Sequence, residues 1–259
     1  MLINGYCLEE MEKIEDNKID LLFCDLPWGA TSCKWDCALD LTKFWKEINR
    51  ICKMNCPMFF CCNAKFGNTL INSNPKNFRY DLVWIKSCPV GFLNAKKMPM
   101  KKHELIYVFY RKSPFYDLST HTHKFLGKEL KNIDGKYSSK KKQIRDTPKL
   151  EEVYGKGYKT NKPNYRLMGA KDTDSHIYDP PLPTSILEIK SEKGKHATQK
   201  PVKLIEWILK YYSKEGNTIL DPTMGSGSSG VACKNMNRNY IGIEQDKKIY
   251  DATVIRLNI

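Results

Sequence analysis

Asp25-Leu26-Pro27-Trp28 follows the apolar run Ile19-Asp20-Leu21-Leu22-Phe23-Cys24. A strand that stops at a carboxylate, then proline, then an aromatic ring, sets a hydrogen-bond acceptor beside a flat apolar face. That edge suits a planar ring bearing an amino group. Strand-then-turn segments also use Asp and Pro for ordinary turn chemistry, so the motif alone decides little. A second constellation lies near the other end of the chain. Thr218-Ile219-Leu220 ends at Asp221, and Pro222-Thr223-Met224-Gly225-Ser226-Gly227-Ser228-Ser229-Gly230 leads into a helix through Val231 and Ala232. The next strand, Tyr240-Ile241-Gly242-Ile243, ends at Glu244. Gly225 and Gly227 let backbone approach a ligand where a side chain would collide. An acid about 20 residues further on can accept both hydroxyls of a ribose. A phosphate loop would need Lys and Ser or Thr after the glycines, and the dinucleotide fingerprint a third glycine elsewhere. An adenosine ligand without a phosphate fits better.

The elements that must position these residues read as α/β. Short apolar runs at Ile19 to Cys24, Met58 to Cys62, Asp81 to Ile85 and Leu105 to Tyr110 suit strands buried on both faces. Between the first two, Leu41, Phe44, Trp45, Ile48 and Ile51 repeat at helical spacing, which makes a parallel crossover unit. The runs at Asp81 and Glu104 leave open whether an antiparallel edge forms. Later, Pro201 opens a helix with Leu204, Ile205, Ile208 and Leu209 on its apolar face and Thr198 or Gln199 near its cap. A last helix spans Lys247 to Leu257. From 113 to 175 the texture changes: Lys140, Lys141, Lys142, Arg145, Lys159 and Arg166 stand among Gly, Asn, Ser and Thr, interleaved with Tyr137, Tyr154, Tyr158 and Tyr165. Cations among aromatics suit a surface that meets phosphates and stacks on bases. Two domains are therefore expected: 1–112 with 176–259, and a basic insertion at 113–175.

The whole chain has 259 residues, 43 Lys and Arg against 29 Asp and Glu, and a formal charge of +14. Such a surplus points to a polyanionic partner. Ten cysteines would suit a disulfide scaffold outside the cell. However, Met1-Leu2-Ile3-Asn4-Gly5-Tyr6 lacks the basic and apolar regions of a signal peptide. No apolar segment reaches the roughly 18 residues of a membrane span. A cytoplasmic protein with reduced thiols and no membrane partner is expected. Cys24, Cys61, Cys62 and Cys233 sit in apolar runs and act as small hydrophobes. Cys33 with Cys37, or Cys52 with Cys56, have loose metal-like spacing but no matching second pair, so no metal is expected.

The chain resembles the beta class of amino-methylating DNA methyltransferases, with a texture nearest the adenine methylases of phage and prophage. Asp25-Leu26-Pro27-Trp28 resembles their catalytic Asp-Pro-Pro-Tyr motif, and Asp221 to Ser228 their S-adenosylmethionine loop. His196-Ala197-Thr198-Gln199-Lys200-Pro201 resembles the segment that precedes that loop. Trp84-Ile85-Lys86, His103-Glu104 and Gly91 to Lys97 also have counterparts, and the order of motifs is that of the class. The resemblance implies a Rossmann-like, seven-stranded, mainly parallel sheet. It implies S-adenosylmethionine as cofactor, methylation of the adenine N6 amine in double-stranded DNA, and a bacterial or phage-infected cell. RNA stays as an alternative substrate, cytosine N4 as an alternative target, and a silent nucleic-acid-binding subunit as an alternative class. A monomer and a homodimer are both compatible.

By this resemblance the Asp25 carboxylate and the Leu26 carbonyl accept the two amine hydrogens, Pro27 stiffens the turn, and Trp28 stacks on a base rotated out of the duplex. Asp221, Pro222, Thr223, Gly225, Gly227 and Glu244, with Thr198, Gln199 and Lys200, would hold the cofactor. Lys140, Lys141, Lys142, Arg145, Lys159 and Arg166 would bind nucleic acid. Leu26 replaces the usual first proline, and Trp28 the commoner tyrosine, a form shared with RNA adenine methyltransferases of eukaryotic type. Thr223 stands where Phe is frequent, and Tyr6 where an acid is frequent. The pair His103-Glu104 reads as structural. Lys200 reads either as reaching a cofactor carboxylate or as standing at a helix entrance.

Overall fold

The computed structural model describes residues 1–28, 39–121, 182–192 and 199–258. Lys140, Lys141, Lys142, Arg145, Lys159, Arg166 and Thr198 lie outside the described residues, as do Cys33 and Cys37. The chain divides into two compact units, Met1–Leu118 with Pro183–Ile259, and Ser119–Leu182. The sheet belongs to the first unit. Its strands are β1 (Leu2–Asn4), β2 (Leu21–Cys24), β3 (Met58–Cys62), β4 (Phe78–Val90), β5 (Lys101–Phe109), β6 (Ile186–Leu187), β7 (Thr218–Asp221) and β8 (Asn239–Glu244). The helices are α1 (Cys7–Met11), α2 (Leu41–Ile51), α3 (Ala64–Ser73), α4 (Val202–Tyr212), α5 (Ser228–Asn235) and α6 (Lys247–Leu257).

The strands form one sheet in the order β1-β8-β7-β2-β3-β5-β4-β6. Eight strands replace the seven expected among the described residues. The two-residue β6, which pairs with β4, is too short to carry a sequence pattern. The open question about the edge resolves as antiparallel: β5 runs against both β3 and β4, and every other pairing is parallel.

Both faces of this sheet are covered, which explains why its central strands lack polar alternation. Along β3, Met58, Phe60 and Cys62 enter one core with Phe44, Trp45 and Ile48 of α2, while Phe59 and Cys61 enter the other with Leu204, Ile205 and Ile208 of α4. Asp40 starts α2 by accepting the backbone N–H groups of Thr42 and Lys43. The start of α4 differs from the expected cap. Pro201 is its N-cap residue, and the carboxylate of Glu192 accepts the Val202 N–H at 3.0 Å. No helix among the described residues is long and apolar enough to cross a membrane.

The connections place the site. From β2 the chain crosses through α2 to β3 on one side, and from β7 through α5 to β8 on the other. Since β2 and β7 are neighbours, their departing loops separate and leave a crevice beyond their carboxyl ends. Asp25 follows β2 directly, and Pro222 follows β7.

Candidate active site

A cavity of about 310 Å³ occupies that crevice. Asp25 and Pro27 line it from the first motif. Asp221, Pro222, Thr223 and Gly225 line it from the glycine loop, and Gln199, Lys200 and Glu244 line it as well. Three expected residues are near but outside the lining. Leu26 is buried beneath the turn, Trp28 is half-buried with its indole N–H donating to the Cys61 carbonyl at 3.3 Å, and Gly227 caps α5. Gly5, Tyr6, Met224, Ser226, Gln245 and Ile249 also line the cavity; of these, Gly5, Gln245 and Ile249 were not singled out from the sequence. Gly5 and Tyr6 come from the link between β1 and α1, whose short elements leave little periodicity to read.

The glycine loop is held by its own acids. Asp221 accepts the Ser229 hydroxyl at 2.5 Å and the Thr223 N–H at 3.2 Å. Burial pushes its carboxyl up to about 7 against those two donors. Glu244 accepts the Gly225 N–H at 3.1 Å and the Asp246 N–H at 2.8 Å, and burial raises it as well. Each carboxylate oxygen accepts more than one bond, so Glu244 retains capacity for a ligand hydroxyl. Gly225 has φ +50° and open space where a Cβ would point. At Gly227, φ is +77°, and a Cβ would lie 2.5 Å from Thr253 Cγ2 on α6. Gly227→Ala is therefore expected to lower stability by about 1–3 kcal/mol through left-handed strain and the clash. Urea unfolding of the two proteins measures the difference.

Thr223 ties the two motifs together: its hydroxyl donates to the Asp25 carbonyl at 3.2 Å. Where the family pattern frequently has Phe, this hydroxyl ties the glycine loop to the turn that follows β2.

The Asp25 carboxylate forms a short ion pair with Lys200 Nζ. Lys200 also lies 3.5 Å from Glu104 Oε2, and Glu104 Oε1 pairs with Lys86. The result is an alternating row of charges, Asp25, Lys200, Glu104 and Lys86. Lys200 thus does more than stand at a helix entrance: it lines the cavity and neutralises the acid of the first motif. Burial pushes the Asp25 carboxyl above the usual carboxylate range, and the Lys200 ammonium pulls against that rise. Burial also acts upward on Glu104, but Lys200 and Lys86 outweigh it and hold its carboxyl low. Burial works against the Lys200 ammonium, yet Asp25 and Glu104 keep it charged, with its pKa above the ordinary lysine value. Glu104, read from sequence as structural, is thereby part of the charge row of the site.

The chain has counterparts among known proteins. The N6/N4 family model described as DNA methylase matches residues 20–255. The Type II methyltransferase M2.LlaDCHI of Lactococcus lactis subsp. cremoris is 41% identical over 97 residues, 37% of this chain and 35% of that protein. M.HinfI of Haemophilus influenzae, also a Type II methyltransferase, is 24% identical over 99% of this chain and 67% of its own length. The first of these matches therefore spans about a third of the relative. Among solved structures, M1.HpyAVI in complex with SAM shares the fold over 99% of both chains, with TM-score 0.60 and 19% identity. The PvuII cytosine-N4-specific DNA methyltransferase does so over 98% of this chain and 85% of its own, with TM-score 0.65 and 13% identity. With the family model matched over residues 20–255, the chain belongs to the N6/N4 DNA methylase family, whose cofactor is S-adenosylmethionine.

Proposed function

We propose that this chain transfers a methyl group to the N6 amine of adenine in double-stranded DNA. The observation that carries this reading is a single cavity at the switch point that joins Asp25 to the glycine loop and Glu244. Its size suits a cofactor rather than a solvent pocket. The open space at Gly225 is a cradle that a side chain would fill. The acids Asp221 and Glu244 in the lining suit a ligand that carries a cationic centre and hydroxyl groups.

S-adenosylmethionine supplies an electrophilic methyl group. The remaining work falls to the chain. An exocyclic amine is a poor nucleophile because its lone pair is delocalised into the ring. Asp25 accepts one amine hydrogen and the Leu26 carbonyl the other, which draws the nitrogen toward a tetrahedral geometry. Both bonds strengthen as the nitrogen becomes cationic, so they stabilise the transition state more than the ground state. Asp25 is then placed to take the released proton. Lys200 opposes the upward pull of desolvation on that carboxyl. The target base must leave the duplex to reach this depth, and Trp28, anchored through its indole N–H, offers the stacking face. By the resemblance to the family's Asp-Pro-Pro-Tyr motif, the acid at position 25 favours adenine over cytosine. Lys140 to Lys142, Arg145, Lys159 and Arg166 would supply phosphate contacts.

The test is transfer of tritium from methyl-labelled S-adenosylmethionine to unmethylated duplex DNA and, in parallel, to RNA of the same sequence. Label in duplex DNA is expected. Label in RNA alone would move the substrate, and no label in either polymer with cofactor binding intact would refute an enzymatic role.

A further inference from the structure

The charge row that holds Asp25 lies at the base of the hairpin formed by β4 and β5. Cys62, the last residue of β3, pairs with Leu105, and Glu104 already lies beyond it. From the Trp84–Glu104 pair the hairpin runs past the catalytic edge to the Val90–Lys101 pair, with a register shift between Ile85 and Val90. At about 3.3 Å per residue, this projection reaches up to roughly 20 Å. It is braced at its root, where Ser87 and Ser191 exchange two hydrogen bonds of 3.2 and 2.9 Å.

The tip is an ordered turn with an unusual surface. A 3-10 turn spans Phe92–Asn94, and the N–H groups of Asn94, Ala95, Lys97 and Met98 are all bonded within it. This turn leaves Phe92 80% and Leu93 97% exposed, with Met98 at 59%. Lys96 and Lys97 follow directly, also exposed. Packing explains none of this, since exposing adjacent Phe and Leu on a rigid turn forgoes their burial. An apolar pair flanked by cations, projecting from the edge where a base must be extruded, matches one polymer: a stack of bases between two rows of phosphates.

We propose that the hairpin tip is a DNA-contacting wedge, with Phe92 and Leu93 pressed against the base stack near the extruded nucleotide and Lys96 and Lys97 on phosphates. Apolar wedges lower the cost of unstacking a step, and a wedge on the catalytic edge would spend that gain on base extrusion. The inference rests on DNA being the substrate.

The test uses the full chain, a long duplex made by amplification and therefore unmethylated, and two double variants. Phe92→Ala/Leu93→Ala is expected to reduce duplex methylation by about tenfold or more, with cofactor affinity and unfolding midpoint unchanged. Lys96→Gln/Lys97→Gln is expected to weaken binding and reduce the slope of log affinity against log salt by about 1.8, as two lost phosphate contacts require. Wild-type methylation by the first variant, or an unchanged salt slope for the second, would overturn the wedge. So would a loss of methylation that light scattering traces to a dimer falling apart, since the tip would then cover a second copy of this chain. If the unaltered protein binds cofactor but labels no DNA, the substrate reading fails first, and the two failures are thereby distinguished.

Discussion

Asp25→Ala is expected to reduce methyl transfer by at least about 10²–10³-fold while S-adenosylmethionine still binds. The magnitude is that of deleting one preorganised partner of a charge that grows in the transition state. Binding survives because the glycine loop is held by other groups. Asp221 is fixed by Ser229 and Thr223, and Glu244 by Gly225 and Asp246. The link from Thr223 to residue 25 uses the backbone carbonyl, which alanine retains. Lys200 keeps Glu104 as a neighbour at 3.5 Å, so the variant does not strand a lone buried ammonium. Isothermal titration of cofactor beside tritium transfer reads both quantities. Retained transfer would remove Asp25 from the chemistry.

Lys200→Met has the second large effect, on stability and on pH dependence together. The lysine side chain is only 9% exposed and serves two carboxylates. Without it, Asp25 and Glu104 face each other across a largely buried gap, with Lys86 paired only to the far side of Glu104. Breaking a buried pair in this way costs about 3–5 kcal/mol, of which the lower end applies because Asp25 is partly open to solvent. For a chain of this size, that lowers Tm by roughly 6–12 °C. Glu104→Gln in the same chain should return part of the loss, as coupled neighbours do. Lys200→Arg keeps the charge and should retain most of the stability. The pH effect has a definite sign. Burial already raises the Asp25 carboxyl and Lys200 opposes the rise, so removing Lys200 raises it further. More of the acid is then protonated at neutral pH, and the lost transfer should return as pH increases. A pH–rate profile of the variant identical to that of wild type would contradict the role given to Lys200.

The parts of the site legible in sequence were those where local chemistry and global position agree. The loop from Asp221 to Gly227 needs left-handed backbone at Gly225 and Gly227, and both glycines can be read directly. Helix α6 was legible from Lys247 to Leu257 because Asp246 caps it and neither glycine nor proline interrupts it. Helix α3 was not. Ala64–Ser73 contains Gly67, a weak helix former, and the reason for that glycine lies elsewhere in the fold: a Cβ at that position would come within 2.5 Å of the Tyr107 ring. The row of charges from Asp25 to Lys86 was equally hidden. Its members come from the end of β2, from β4, from β5 and from the approach to α4, and no spacing along the chain joins them. Only the sheet order, with β5 reversed beside β3, brings Glu104 toward Lys200. The strands β1 and β6 have three and two residues, below the length at which alternation means anything.

The central claim is that this site methylates the amine of adenine. It is tested most directly by incubating the protein with S-adenosylmethionine carrying a trideuterated methyl group and unmethylated duplex DNA, then digesting to nucleosides and measuring their masses. Deuterated methyl on the N6 position of deoxyadenosine is the predicted result. Deuterated methyl on the N4 position of deoxycytidine, with none on deoxyadenosine, would contradict it.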